Sequence, residues 1–144
     1  MDISDKGLAL TKGFESCRLT SYQDVRGIWT IGFGHTGTGI GPGITWTQEQ
    51  ADAWLKQDMG HACDFVNGHV TVVLSQDQFD SLCDLVYNIG SGNFEESTLL
   101  RKLNDGDVFG AAEEFQKWDM AGGQHIPGLL RRRIAERDLF IAGC

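Results

Sequence analysis

The sequence predicts a mainly helical α+β protein, and three observations carry that expectation. Apolar residues recur at three- and four-residue steps over most of the chain, residues 16–46 switch to a β-branched, aromatic and glycine-rich composition, and two capping boxes mark helix starts. One domain over residues 1–144 is expected, with a β-rich lobe at about 16–46 and a helical lobe from 1–15 and 47–144. A chain of this size buries roughly 68–70% of its unfolded surface, so it needs neither metal nor disulfide to fold.

Ser4 is placed to cap a first helix whose stripe of Ile3, Gly7, Leu10 and Phe14 ends near Phe14, leaving Glu15 at its C-terminal end. Leu19 to Phe33, with the turn-like Asp24-Val25-Arg26-Gly27 in the middle, reads as a small hairpin. Period two in its second strand puts Ile28, Thr30 and Gly32 on one face and Trp29, Ile31 and Phe33 on the other. The glycines from Gly27 to Gly43 suit tight turns, and 37–43 reads as a flexible loop. The Lys-Ser/Thr ending of a phosphate-binding loop is missing.

Thr47-Gln48-Glu49-Gln50 is a capping box that opens one helix of about five turns, with the stripe Ala51, Trp54, Leu55, Ala62, Phe65 and Val66. A second box, Ser75 to Gln78, opens the stripe Phe79, Leu82, Cys83, Val86 and Ile89, closed by Gly90-Ser91-Gly92. Shorter helices are expected around Leu99, Leu100 and Leu103, and after Asp107 with Val108, Ala111, Ala112, Phe115 and Trp118. Pro127 starts the last helix, which carries Leu130, Ile134 and Ile141.

Twenty acidic against twelve basic residues give a net charge of −8, which argues against non-specific nucleic-acid binding because phosphate neutralisation needs excess Lys and Arg. The acidity is local: residues 1–47 are net 0, residues 48–119 net −10 and residues 120–144 net +2. A solvated outer face explains such a block. The longest apolar run, Val70-Thr71-Val72-Val73-Leu74, falls far short of a membrane span, and Met1-Asp2-Ile3-Ser4-Asp5 has no signal-peptide character, so a cytoplasmic protein without stable membrane association is expected. Cys17, Cys63, Cys83 and Cys144 lack zinc-site spacing; Cys83 falls on an apolar stripe as a buried thiol and Cys144 is terminal.

Glu15, Asp24 and Thr30 are the polar residues around the hairpin. A hairpin folded against the end of the first helix brings them to one wall, as two-carboxylate glycoside hydrolysis requires. One carboxylic acid must donate to the leaving oxygen while the other stays ionised; Glu15 beside Phe14 has the more apolar setting and Asp24 in a turn the wetter one. Taken singly, a glutamate at a helix end is a solvated charge, a turn aspartate caps backbone amides and a strand threonine is a β-former.

The wider motif decides between these readings. Tyr22-Gln23-Asp24-Val25-Arg26-Gly27-Ile28-Trp29-Thr30-Ile31-Gly32-Phe33-Gly34-His35-Thr36-Gly37, with the upstream Gly13-Phe14-Glu15, closely resembles the signature of the phage-type lysozymes, glycoside hydrolase family 24. Tyr87-Asn88-Ile89-Gly90, Phe94, Ser97-Thr98-Leu99-Leu100, Leu103-Asn104-Asp105-Gly106-Asp107, Gly128-Leu129, Arg131-Arg132-Arg133 and Glu136 extend the resemblance to the lambdoid branch over nearly the whole chain. It implies a lysozyme-like fold, a small β-hairpin lobe and a larger helical lobe with the active-site cleft between them. It also implies a muramidase that cuts the β-1,4 bond from N-acetylmuramic acid to N-acetylglucosamine in peptidoglycan, with inversion and without a cofactor. Glu15 is then the general acid, Asp24 the carboxylate that stabilises developing positive charge, and Thr30 a partner in positioning the attacking water.

Asn88 is the substrate contact implied from the helical lobe, and Arg132 the member of the arginine run that approaches the site and pairs with a carboxylate, the other two being surface residues. Phe33 is a candidate for stacking on a sugar ring, although alternating aromatics in a strand also serve as core. His35 reads as structural, with Asp58 as its expected partner, and no metal-ligand grouping is present. Two rival functions remain open at this stage. A lytic transglycosylase leaves a 1,6-anhydro end, and the pairing of Asp24 with Thr30 argues against it; a non-catalytic wall-binding relative would not need Glu15, Asp24 and Thr30 intact. The expected enzyme is a monomer that gathers in the host bacterial cytoplasm and reaches the wall after the membrane is breached. On this reading the acids of residues 48–119 lie mostly on the outer surface of the helical lobe.

Overall fold

The computed structural model describes residues 1–144, and its helices are α1 (Asp5–Phe14), α2 (Gln48–Asp58), α3 (Gly60–His69), α4 (Gln76–Ile89), α5 (Ser91–Glu95), α6 (Thr98–Asn104), α7 (Val108–Glu114) and α8 (Pro127–Ala142). Strands β1 (Arg18–Gln23) and β2 (Trp29–Gly32) form one antiparallel pair, and β3 (Met120–Ala121) and β4 (Gln124–His125) a second, minimal one. The mainly helical α+β class is as the sequence predicts. The chain divides into a helical unit, Met1–Leu10 with His61–Cys144, and a hairpin unit, Thr11–Gly60. The hairpin unit extends past the composition change near residue 46 because α2 packs on β2.

In the hairpin unit, β1 and β2 pair Arg18 with Gly32, Tyr22 with Thr30 and Gln23 with Trp29, with a register shift between the first two pairs. Gly32 has φ +65° and a side chain there would meet the Trp46 ring at 2.9 Å, so only glycine serves at this position. The glycine loop does not end as unattached loop: Ser21 N–H donates to Ile44 O and Trp46 N–H to Leu19 O, adding Ile44–Trp46 along β1. Thr47 caps α2 as expected, its side chain accepting from Gln50 N–H while the Gln50 side chain accepts from Thr47 N–H. The expected five-turn helix is two helices instead, α2 ending at the Met59 cap and α3 beginning at Gly60.

In the helical unit, Ser75 and Gln78 form the second capping box at the start of α4, and Phe79, Leu82, Cys83 and Leu85 on that helix are fully buried. Leu99 and Leu103 of α6, Ala111 of α7, Phe115 and Phe140 complete the core. Each large side chain buried there contributes about 1.5–3 kcal/mol. The first residues join this core by a specific device: Ser4 N–H donates to Asp80 Oδ1 at 3.0 Å and Ser4 Oγ to Asp80 Oδ2. A side chain at Gly7 would strike Asp80 and Ile3, so the stripe position read as apolar is a close-approach glycine.

The last helix departs from its expected face. Leu130 and Ile134 are half-buried and Ile141 is exposed, whereas Arg132, Arg133, Glu136 and Phe140 are buried. Its inward side is therefore ionic, a pattern that hydrophobic periodicity cannot show. The acidic middle segment is likewise not all outer face: Asp80, Asp84, Glu114 and Asp119 are buried with partners. Cys83 is a buried free thiol and Cys144 an exposed one, as the sequence indicates.

Candidate active site

The turn between β1 and β2 holds Asp24 through backbone amides. Asp24 Oδ1 accepts from Arg26 N–H at 2.8 Å and from Ile28 N–H at 2.9 Å, while Asp24 N–H donates to Ile28 O at 2.9 Å. The Ile28 amide, helped by the Arg26 amide and the Arg26 guanidinium 3.9 Å away, holds this carboxyl below the usual aspartate range, outweighing partial desolvation. Asp24 is thus an ionised carboxylate at neutral pH.

Thr30 reaches the same residue from the other side. Its Oγ1–H donates to Ile28 O at 2.9 Å, and the side chain is 4% exposed. With its proton committed, Oγ1 can serve a water only as an acceptor. The two backbone groups of Ile28 therefore tie Asp24 and Thr30 into one rigid hairpin unit. Glu15, half-buried, follows α1 directly, its N–H donating to Thr11 O at 3.0 Å, and lies three residues before β1 in the same unit. The three residues of the proposed triad thus belong to one compact body.

The remaining candidates divide. His35 Nδ1 lies 2.8 Å from Asp58 Oδ2, the pairing expected from sequence. The His35 ring also packs at 4.4 Å from Trp54 and 5.5 Å from Trp46, which stack on each other at 6.0 Å. This environment is structural. Phe33 is 7% exposed in the hairpin unit and packs as core. In the helical unit, Asn88 is exposed near the end of α4 and its Oδ1 accepts from Arg133.

Arg132 does pair with a carboxylate: its Nε and a terminal nitrogen donate to the two oxygens of Asp84 at 3.0 and 2.8 Å, and Nε stands 3.9 Å from Glu136. Arg133, expected at the surface, is fully buried instead, 2.9 Å from Glu136 Oε1. Burial first, then the neighbouring Asp84, pushes the Glu136 carboxyl well above its usual range. Sequence reasoning missed Arg133; its i, i+3 spacing to Glu136 was the available signal.

Comparison with known proteins gives the family. The phage lysozyme family matches residues 12–136, and the chain belongs to that family. It is 47% identical over 144 residues to an endolysin of Acyrthosiphon pisum secondary endosymbiont phage 1, covering 97% of this chain and 98% of the relative. Identity to the SAR-endolysin of Enterobacteria phage P21 is 38% over 131 residues, covering 91% of this chain and 79% of that one. Among solved structures, a mutant P22 lysozyme superposes with a TM-score of 0.91 at 41% identity, covering 98% and 99% of the two chains. The muramidase domain of SpmX from Asticaccaulis excentricus gives 0.88 at 38%, with 97% of each covered. The fold is lysozyme-like.

Proposed function

We propose that the protein is a muramidase of the phage lysozyme family that hydrolyses the β-1,4 bond between N-acetylmuramic acid and N-acetylglucosamine in peptidoglycan, without a cofactor. The observation that carries the assignment of roles is the backbone-held, ionised Asp24 joined through Ile28 to the Thr30 hydroxyl. Glu15 donates a proton to the leaving glycosidic oxygen. Asp24 stabilises the positive charge that develops on the sugar, and Thr30, accepting from a water, helps to aim it at the anomeric carbon with inversion. Asn88 contacts substrate; Arg132 and Phe33 support the fold around their own positions. The enzyme acts as a monomer that gathers in the host cytoplasm and reaches the wall once the membrane is permeabilised. No helix is long and apolar enough to cross a membrane.

Glu15→Gln is expected to lower lysis of purified cell walls by about 10²–10⁴-fold, the range for losing a general acid. Comparable lysis by the variant would remove Glu15 from this role. Mass spectrometry of the digest separates hydrolysis from transglycosylation: reducing ends are expected, and 1,6-anhydro ends would point to the rival reaction.

A further inference from the structure

We propose that Arg26 is a specificity-determining residue: its guanidinium, which stands beside the open oxygen of Asp24, is taken up by a carboxylate of the bound wall fragment and leaves Asp24 to meet the reacting sugar alone. Both amide bonds that hold the Asp24 carboxylate go to Oδ1, from Arg26 N–H at 2.8 Å and Ile28 N–H at 2.9 Å. Oδ2 has the Arg26 guanidinium beside it at 3.9 Å, too far for a hydrogen bond. The Arg26 side chain is 77% exposed and the neighbouring Val25 is fully so, which puts this turn in solvent. An exposed pair of that length is worth little, so a better-placed anion can draw the guanidinium away from Asp24.

The other lysine and arginine between residues 11 and 47 are already engaged. Lys12 donates to Asp52 at 2.9 Å, and the Arg18 guanidinium lies 4.0 Å over the Tyr22 ring. Arg26 is left to meet an anion. The chain carries a net charge of −8, which repels a polyanion at long range, so recognition of an anionic substrate falls to a local cation. The exchange also resolves a conflict inside the site. A guanidinium beside Oδ2 opposes the positive charge that the sugar develops, and pairing it with a substrate anion removes that opposition as the substrate binds. This inference rests on the muramidase reading for its ligand: peptidoglycan offers carboxylates on its stem peptides and, where a stem has been cut off, on the lactyl group of the muramyl sugar.

The test measures binding by calorimetry in a Glu15→Gln background, so that the probes stay uncut, with Arg26 kept or replaced. Three probes are used: soluble wall fragments with their stems, the same fragments after an amidase has removed the stems and left lactyl carboxylates, and the uncharged N-acetylglucosamine tetramer. Arg26→Gln keeps the backbone amide that Asp24 needs; it is expected to weaken a carboxylate-bearing fragment about fivefold and to leave the tetramer as before. A loss with the stemmed fragments assigns the stem carboxylate, and a loss with the stripped fragments assigns the lactyl one. Arg26→Lys keeps the charge and should stay within about twofold of the parent, while added salt should weaken the parent toward the Arg26→Gln value. In wall lysis with Glu15 intact, the loss should fall on KM rather than on kcat. An equal loss with the tetramer, no loss with either carboxylate fragment, a lysine variant as weak as the glutamine one, a parent indifferent to salt, or a fall in kcat alone overturns the proposal. Those results leave the muramidase reading standing, since wall lysis by the unaltered protein and by Glu15→Gln tests it separately.

Discussion

The hairpin unit and the helical unit each hold an aspartate in a multidentate hydrogen-bonded setting, by opposite means. Asp24 is held by backbone N–H groups in a turn and stays partly open to solvent. Asp84 is held by a guanidinium in the interior, and with Arg132, Arg133 and Glu136 it forms a closed set of two acids and two bases. Amide donors carry no net charge, so the only formal charge set against Asp24 in the turn is the exposed Arg26 guanidinium 3.9 Å away, and the proposed role of Asp24 beside a cationic transition state draws on that open field. The interior groups are paired with one another, and the members resist removal because each protects another from being buried unpaired. Charge poised for chemistry and charge locked into stability can thus be told apart by what holds them.

The largest test of this contrast is Arg132→Ala, which removes the two-bond guanidinium partner of buried Asp84 and is expected to cost about 3–5 kcal/mol in chemical denaturation. A loss below about 1 kcal/mol would mean that the set is not interdependent. Glu136 sharpens the same point through pH. The folded state holds its proton more tightly than the unfolded chain, so that stabilisation is complete below the unfolded value of about 4.3 and is lost as pH rises through the higher folded value. Glu136→Gln should flatten the decline in unfolding free energy over that rise; an unchanged slope would place the titration elsewhere.

In the hairpin unit the expected effects on stability are smaller. A double-mutant cycle on His35 and Asp58 should give a coupling of about 1 kcal/mol, and a coupling near zero would leave the Trp46–Trp54 packing as the sole reason for the position of His35. Least of all should Asp24 limit activity on the acid side. Its carboxyl titrates below the ordinary aspartate value, so kcat/KM should keep Asp24 ionised down to pH of about 3.9, and an Asp24-dependent limb above that would contradict the turn geometry.

What could be read from the sequence follows a physical division. The capping boxes at Thr47 and Ser75, the Asp24 turn and the end of the first helix at Phe14 are local signals, set by residues within a few positions of one another, whereas Phe14 itself is exposed rather than part of a buried stripe. The Glu15, Asp24 and Thr30 set was legible only through its family resemblance, because singly each has an ordinary structural explanation. The break between α2 and α3 escaped because Leu55 and Ala62, seven residues apart, keep one helical phase across it. Helix α5 was hidden behind glycines that read as a stop, and it survives on the burial of Phe94. Strands β3 and β4 are two residues long, too short for alternation to show, though Gly122 and Gly123 both carry the positive φ of a tight hairpin turn. The inward-facing Arg133 needed knowledge of what lies across from α8, a long-range fact that no window of sequence contains.

The Ser4–Asp80 bonds have a further meaning for synthesis on the ribosome. They join residues 76 positions apart, so the helical unit cannot close on its first turn until α4 has left the exit tunnel. The hairpin unit is continuous in sequence and emerges first, whole, while Met1–Leu10 waits for its partners. The residues proposed for catalysis are thereby the first to find their native neighbours, and the scaffold that anchors the chain's beginning is the last to be completed.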